Sequence, residues 1–361
     1  MRVSYKRIAK IIVLCLIFTA SLAILVNNMS NVQLQNVEHE KVLKQNIEKV
    51  VEFSNKNSAS KDIFFRSQRS AKGIATFSDG TLKPQLQKLS QIGTSLQDIF
   101  VSVKTTGKNH KSRLYLLLDT WISTAKKQTY IFTDTDDAEL KQKVEANHVV
   151  NTNCSRDHYR KSLVCKMAQE FDWFINSKKR WFCHVDDDTY LNVPRLVTLL
   201  EKYNHTDDWY LGRPSLDHPI EVMDRAHPGQ NLAFWFATGG AGFCVSRALA
   251  LKMVPYAGGG RLMRAGEQIR LPDDCTIGYV INSILRKDLT VIKLFHSHLE
   301  ALWKLGLPNI KEQISFSYGL KPGRKNVVNI HGFTEDKDPT RFLSIHCHLY
   351  PLSQICLPLD S

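Results

Sequence analysis

An apolar run, Trp181-Phe-Cys-His-Val185, ends in three consecutive carboxylates, Asp186, Asp187 and Asp188, followed by Thr189 and Tyr190. Open α/β sheets take their ligands at the carboxyl ends of their strands. Three adjacent like charges repel, and at such a place they call for a counter-charge, which a divalent cation bridging a substrate diphosphate supplies. On an extended backbone Asp186 and Asp188 share one side and Asp187 points to the other. The competing reading is a solvated acidic turn, or a helix cap leading into Pro194 and the helix after it.

Three further clusters hold chemistry-bearing residues. In Phe234-Trp-Phe-Ala-Thr-Gly-Gly-Ala-Gly-Phe-Cys244, aromatics beside glycines suit close backbone approach to a flat sugar or base. The cluster lacks the Lys-Ser/Thr of a P-loop and the spacing of a dinucleotide site. Arg270-Leu-Pro-Asp-Asp-Cys-Thr-Ile-Gly-Tyr279 opens a helix with two carboxylates, of which N-capping accounts for one. Leu294-Phe-His-Ser-His298 sets two imidazoles at a strand end, a spacing that suits one metal ligand and a neighbour, or two structural histidines.

Hydrophobic periodicity predicts the elements that must position these groups. Strands are expected at Asp98–Lys104, Thr129–Thr133, Trp181–Val185, Trp209–Gly212 and Leu289–Phe295. Helices are expected at Leu114–Ser123, Leu163–Asn176, Val193–Tyr203, Arg247–Val254 and Cys275–Leu285. The helix at 163–176 carries Leu163, Met167, Phe171 and Phe174 on one face. Strands alternating with helices predict an α/β domain with a mainly parallel sheet and helices on both faces. Eleven residues of continuous helix would hold Cys154 and Cys165 about 16 Å apart, whereas a disulfide needs less than about 7 Å. If the two pair, Cys154 lies off the helix and the chain doubles back.

The chain has 361 residues, 43% hydrophobic and 23% charged, with 18 Gly and 12 Pro, which rules out wholesale disorder and a fibrous repeat. Lys and Arg outnumber Asp and Glu 48 to 35, a net charge of +13. The basic residues are spread from end to end, without a DNA-binding block or a Cys/His finger, so nucleic acid is not the expected partner. Residues 1–10 hold Arg2, Lys6, Arg7 and Lys10, and 11–26 form an uncharged run, IIVLCLIFTASLAILV. At ~1.5 Å per residue that run reaches about 24 Å, enough for a thin early-secretory bilayer. It is read as an uncleaved signal anchor, with a cleaved signal peptide as the rival. The flanking positive charge puts residues 1–10 in the cytosol and the rest in the lumen, a single-pass type II arrangement.

Residues 27–95 are polar and read as a stem, and 96–361 as the catalytic domain. Within the stem, Leu43, Ile47, Val50 and Val51 recur at helical spacing, and Arg66-Ser-Gln-Arg69 is a pattern that a lumenal protease could cut, with release after Arg69. Asn28, Asn153 and Asn204 head N-glycosylation triplets. Of eight cysteines Cys15 lies in the anchor, and the remaining odd number leaves at least one unpaired. In an oxidising compartment the others are expected to form three bridges.

Taken in order, VDDD (185–188), FWFATGGAGFC (234–244), RLPDDCTIGY (270–279), LFHSHLE (294–300) and SIHCHLYP (344–351) resemble the Fringe proteins. So do VKTT (103–106), LLLDTWIS (116–123) and FTDTDD (132–137), and the likeness runs from about Asp98 to the C-terminus. The resemblance implies a Golgi β1,3-N-acetylglucosaminyltransferase with a GT-A (Rossmann-like) fold and Mn²⁺ as cofactor. It further implies UDP-N-acetylglucosamine as donor and O-linked fucose on EGF-like repeats of Notch receptors as acceptor. It places the Mn²⁺ ligands at Asp188 and His298, sugar-nucleotide and substrate contacts at Asp187 and Arg113, and the catalytic base at Asp274. It also implies the bridges Cys154–Cys165, Cys183–Cys244 and Cys347–Cys356, with Cys275 left as the free thiol.

Residues and resemblance together lead to a single displacement with inversion, in which Asp274 takes the proton of the fucose 3-hydroxyl and Mn²⁺ stabilises charge on the departing UDP. The rivals are a sister β1,3-transferase with another donor or acceptor, and a released, non-enzymatic sugar-binding or signalling protein.

Overall fold

The run Ile99–Lys104 is buried on both of its faces along nearly its whole length, as a strand inside a parallel sheet must be. In the computed structural model, which describes residues 93–357 apart from 226 and 322, this run is strand β1. After it come α1 (Tyr115–Asp119), β2 (Thr129–Thr133), α2 (Ala138–Lys143), β3 (Val149–Asn151), α3 (Arg160–Ser177), β4 (Trp181–Asp186), β5 (Tyr190–Leu191), α4 (Val193–Leu200) and β6 (Tyr210–Gly212). The second half holds β7 (Ile220–Met223), β8 (Asn231–Phe234), β9 (Phe243–Ser246), α5 (Arg247–Ala257), α6 (Leu262–Ile269), α7 (Asp273–Gly278) and β10 (Thr290–Val291). It closes with α8 (Leu307–Ile310), β11 (Ser315–Phe316), β12 (Gly319–Lys321), β13 (Arg324–Asn326) and α9 (Phe342–Leu349).

The central sheet has seven strands in the order β10-β6-β9-β4-β1-β2-β3. All neighbours run parallel except at β9, which is antiparallel to both β4 and β6. This is the mixed α/β, mainly parallel architecture expected from the strand and helix alternation. Period-two alternation assigns each side chain of β1 and β4 to a face. Phe100 and Ser102 meet α3, through Phe174 and Glu170. Ile99, Val101 and Val103 join Leu117 of α1, Leu196 of α4 and Ile345 of α9 in the core on the opposite face. Lys104, His184 and Asp186 therefore project on the α3 side, where α3 buries Lys166 and Glu170 as well as Met167, Phe171 and Phe174.

Several boundaries depart from the sequence reading. The helix expected at 114–123 is a π turn at His110–Leu114, then α1, then a 3-10 turn at Trp121–Thr124. It breaks at Thr120, whose hydroxyl donates to the Leu116 carbonyl. The strand expected at 289–295 shrinks to β10, and the helix expected from Cys275 starts at Asp273 and becomes a π turn at Tyr279–Ile284. Gly278 sits where a Cβ would lie 2.2 Å from Cβ of Phe236, so only glycine lets α7 close on the strand-to-turn segment before β9.

Cys154 precedes α3 in a loop, and the chain turns back to join it to Cys165, with the two Cα atoms 5.9 Å apart. Cys183 and Cys244 are register partners on β4 and β9 and are bonded, as are Cys347 and Cys356, while Cys275 is free and buried. The cytoplasmic tail, the anchor, the Leu43–Val51 face, the Arg66–Arg69 site and Asn28 lie outside the described residues, as does the stem up to residue 92. Thr94 is already buried, its hydroxyl accepting from the Trp181 indole. Asn153 and Asn204 are exposed.

Candidate functional site

The carboxyl ends of β1 and β4 are register partners at Lys104 and Asp186, and the acidic triplet, Arg113 and the acids opening α7 meet near that edge. β4 ends at Asp186 and the chain then turns, so the strand alternation does not carry through the acidic triplet. Asp186 goes to the α3 side, 3.0 Å from the Lys104 ammonium. Asp187 and Asp188 both meet the Arg113 guanidinium, at 3.0 and 3.4 Å. The expected pairing of Asp186 with Asp188 on one side is thus replaced by Asp187 with Asp188, because the turn rotates the third carboxylate.

Asp187 is buried and saturated. Its Oδ2 accepts from the Thr105 hydroxyl at 2.8 Å and the Asn109 amide at 2.9 Å, and its Oδ1 from Arg113. Asp188 is the opposite case: its Oδ1 is buried without any hydrogen-bond partner. Burial, then the neighbouring charges of Asp186 and Asp187, push its carboxyl up to about 7, against the pull of Arg113. A carboxylate with one orphaned oxygen among two like charges is a place for a cation.

The two histidines of LFHSH separate cleanly. His296 is buried and committed, with Glu300 at 3.1 Å and Gln313 at 2.8 Å on its two ring nitrogens. His298 is exposed, and its ring lies against Gly240, 3.5 Å from where a Cβ would stand. Thr189, next to Asp188, donates to the Gly240 carbonyl at 3.2 Å. Asp188 is thus the chain neighbour of a residue hydrogen-bonded to the glycine against which the His298 ring lies. Among the described residues no three His, Cys, Asp or Glu side chains converge as a metal cage. Two protein ligands are the set that suits an ion completed by substrate phosphates, and a carboxylate beside an imidazole suits Mn²⁺. The residues present fit such an ion.

On the other side of the same turn stands Asp274. A Cβ on Gly239 would lie 3.5 Å from Cβ of Asp274 and 3.6 Å from Nε2 of His184. The Asp274 carboxylate is partly exposed and accepts from the Gly239 amide at 3.1 Å and from the Cys275 amide at 2.8 Å. Burial, then the adjacent Asp273, raise its pKa above the usual aspartate value, while the two amides and Lys104 oppose the shift. It sits in the first turn of α7, whose N-cap position is Pro272, so neither acid occupies the cap position. Capping, expected to account for one of them, is replaced by an ion pair of Asp273 with Lys104.

The sequence reading missed Lys104, Thr105, Asn109, Glu170 and His184 as members of this site. Lys104 and Thr105 fall in VKTT at the end of a predicted parallel strand, and that position was the available signal. Glu170, on the buried face of α3, accepts from the Ser102 hydroxyl and binds Nδ1 of His184, both at 2.6 Å. Burial works against a charged His184, but Glu170 and Asp186 raise its pKa to about 9.

Comparisons with known proteins show the family. A family model described as Fringe-like matches residues 94–353. The zebrafish (Danio rerio) β-1,3-N-acetylglucosaminyltransferase lunatic fringe is 56% identical over 269 residues, covering 73% of this chain and 71% of that protein. Its human namesake is 50% identical over 281 residues, 77% of this chain and 72% of that one. The Drosophila melanogaster Fringe glycosyltransferase is 50% identical over 73% of this chain and 65% of its own. The solved apo structure of mouse xyloside xylosyltransferase 1 aligns at TM-score 0.31 and 8% identity over 54% of this chain and 84% of that one, from which nothing is drawn.

Proposed function

Because the chain belongs to the Fringe-like family, we propose that it is an inverting β1,3-N-acetylglucosaminyltransferase, moving N-acetylglucosamine from UDP-N-acetylglucosamine to O-linked fucose on EGF-like repeats of Notch-type receptors. The observation that carries the reading is the Gly239-Gly240 turn. A carboxylate placed to accept a proton, Asp274, meets Gly239, while the His298 ring and Thr189, the chain neighbour of Asp188, meet Gly240.

Each residue has a part in that reaction. Arg113 holds Asp187 and Asp188 in place and has an exposed edge left for an anionic donor. Asp187, fixed by three donors, is preorganised for a contact to the sugar nucleotide. Asp274 takes the proton of the fucose 3-hydroxyl as that oxygen attacks the anomeric carbon. Its raised pKa makes it a stronger base than a free aspartate, and the two amide donors fix the direction of its lone pairs. Mn²⁺, held by Asp188 and His298, would supply positive charge to the diphosphate leaving group.

We place the enzyme in the Golgi membrane, anchored through residues 11–26 with its catalytic domain in the lumen, where release after Arg69 would free it. Three disulfides in the described domain suit that oxidising compartment. The test is incubation of the protein with several UDP-sugars, with and without Mn²⁺, against a fucosylated and an unmodified EGF repeat. Transfer is expected from UDP-N-acetylglucosamine to the fucosylated repeat, with Mn²⁺ alone restoring it after chelation. Preference for another sugar, or equal transfer to the unmodified repeat, would refute the assignment.

A further inference from the structure

One charged side chain at this edge does not touch the carboxylates beside Arg113 and is only 10% exposed to solvent. Lys104 is almost fully buried, yet its ammonium is shared by two carboxylates from distant parts of the chain. One is Asp186, the last residue of β4; the other is Asp273, the first residue of α7 and the neighbour of Asp274. The approach to Asp186 Oδ1 is an ion pair without the direction of a hydrogen bond, whereas Asp273 Oδ2 accepts one. The same Oδ1 of Asp186 lies 3.4 Å from Nε2 of His184, and His184 is held in turn by Glu170. Asp186 is thereby met by two groups that do not touch Asp187 or Asp188, which pair with Arg113.

The register of the sheet makes this arrangement possible. Lys104 and Asp186 are partners at the ends of adjacent parallel strands, and α7 brings Asp273 over the same face. Were neutralisation of buried acids the whole role, one carboxylate paired with one ammonium would suffice. Here the ammonium bridges the strand end that leads into Asp187 and Asp188 to the helical turn that carries Asp274. In-line displacement needs those two parts at one fixed separation, and a misplacement of about 1 Å costs on the order of 10²-fold in rate.

We propose that Lys104, acting through Asp186 and Asp273, is a positioning residue that sets the place of Asp274 relative to the donor-binding end of β4. The inference rests on the transferase reading above, with Asp274 as base. Lys104→Met alone would leave buried Asp273 and partly exposed Asp186 without their cation, so the decisive variant is the double Lys104→Met/Asp273→Asn in the full chain, which removes the buried pair together. Transfer is measured at saturating donor and acceptor, and UDP affinity by titration calorimetry in Mn²⁺. The expected result is kcat lower by about 10²-fold with UDP affinity within about threefold of wild type. Wild-type kcat in the double variant would show that Lys104 only neutralises charge. A UDP affinity falling as far as kcat would show that it serves the donor site. Both results overturn the proposal. If the double variant fails to fold, Asp273→Asn alone, isosteric and leaving Lys104 with Asp186, is expected to show the same split at about tenfold, and an unchanged kcat there overturns the proposal too. A wild-type enzyme inactive with every UDP-sugar would instead refute the transferase reading, and this inference with it.

Discussion

Asp274→Asn separates proton transfer from donor binding. In the folded protein both carboxylate oxygens of Asp274 accept backbone amides, Gly239 N–H on one and Cys275 N–H on the other. An asparagine has a single oxygen, so its NH2 group must face one of those N–H donors. The loss of one hydrogen bond costs about 1 kcal/mol of stability, with up to about 3 kcal/mol if the stranded amide finds no water. For a domain of this size 1 kcal/mol lowers Tm by about 2–4 °C, so the variant stays folded. Loss of the base removes about 10²–10⁴-fold from kcat, equivalent to about 3–5 kcal/mol at the transition state. The catalytic loss thus exceeds the structural one. Asp187, Asp188 and Arg113 make their contacts without Asp274, so UDP affinity in Mn²⁺ is expected to stay at the wild-type value. Steady-state transfer to a fucosylated repeat gives the first quantity and titration calorimetry the second. The wild-type pH profile supplies an independent check. A base works when deprotonated, so kcat rises with pH through its pKa. Burial and Asp273 place that midpoint above the ordinary aspartate value of about 4. An Asp274→Asn enzyme whose UDP affinity drops in step with kcat, or a wild-type acid limb at or below pH ~4, would refute the role given to Asp274.

Asp188→Ala removes the carboxylate with the orphaned oxygen, so Mn²⁺-dependent UDP binding is expected to weaken by at least about tenfold, while the chelated protein loses no thermal stability; calorimetry and melting curves in Mn²⁺ and in EDTA check both. Lys166→Met strips the cation from buried Asp134, which lies 2.6 Å from it, and is expected to destabilise the domain by about 3–5 kcal/mol in denaturant unfolding. Burial opposes the charge on Asp134, but Lys166 and the Gly107 amide hold its pKa down to about 2. The stabilisation is therefore full above the unfolded value of about 3.9 and is lost as pH falls towards 2, and Lys166→Met should flatten that acid dependence. Gly278→Ala puts a Cβ into Phe236 and should cost about 1–3 kcal/mol; it also pushes on the segment leading to Gly239, so kcat should fall as well, and unchanged unfolding midpoints would refute the close approach.

What local pattern controls was legible without coordinates. β2 matches its expected range residue for residue, and β4 ends within one residue of it, because a buried strand bounded by polar turns announces itself over a few positions. The carboxylates at the end of Trp181–Asp186 and the acids opening α7 were visible as chemistry for the same reason. Short elements fared worse. β10 has only two residues and β9 lies antiparallel in an otherwise parallel sheet, and neither fact follows from periodicity, since both are set by what the neighbouring strands offer.

Tertiary structure alone decided which neighbours each acid has. Asp186, Asp187 and Asp188 are three identical side chains in a row, and their different fates come from different neighbours: Lys104 and His184 for the first, Thr105, Asn109 and Arg113 for the second, an oxygen without a partner for the third. The sequence alone determined that acidic groups stand at a strand end and at the opening of a helix. Lys104 and Asp273 are 169 positions apart, and only strand order and register bring them together. Side-chain period is a short-range property of the backbone, whereas an ion pair or a raised pKa depends on which distant segments share a dielectric boundary, so the site's charges could be read in advance and their partners could not.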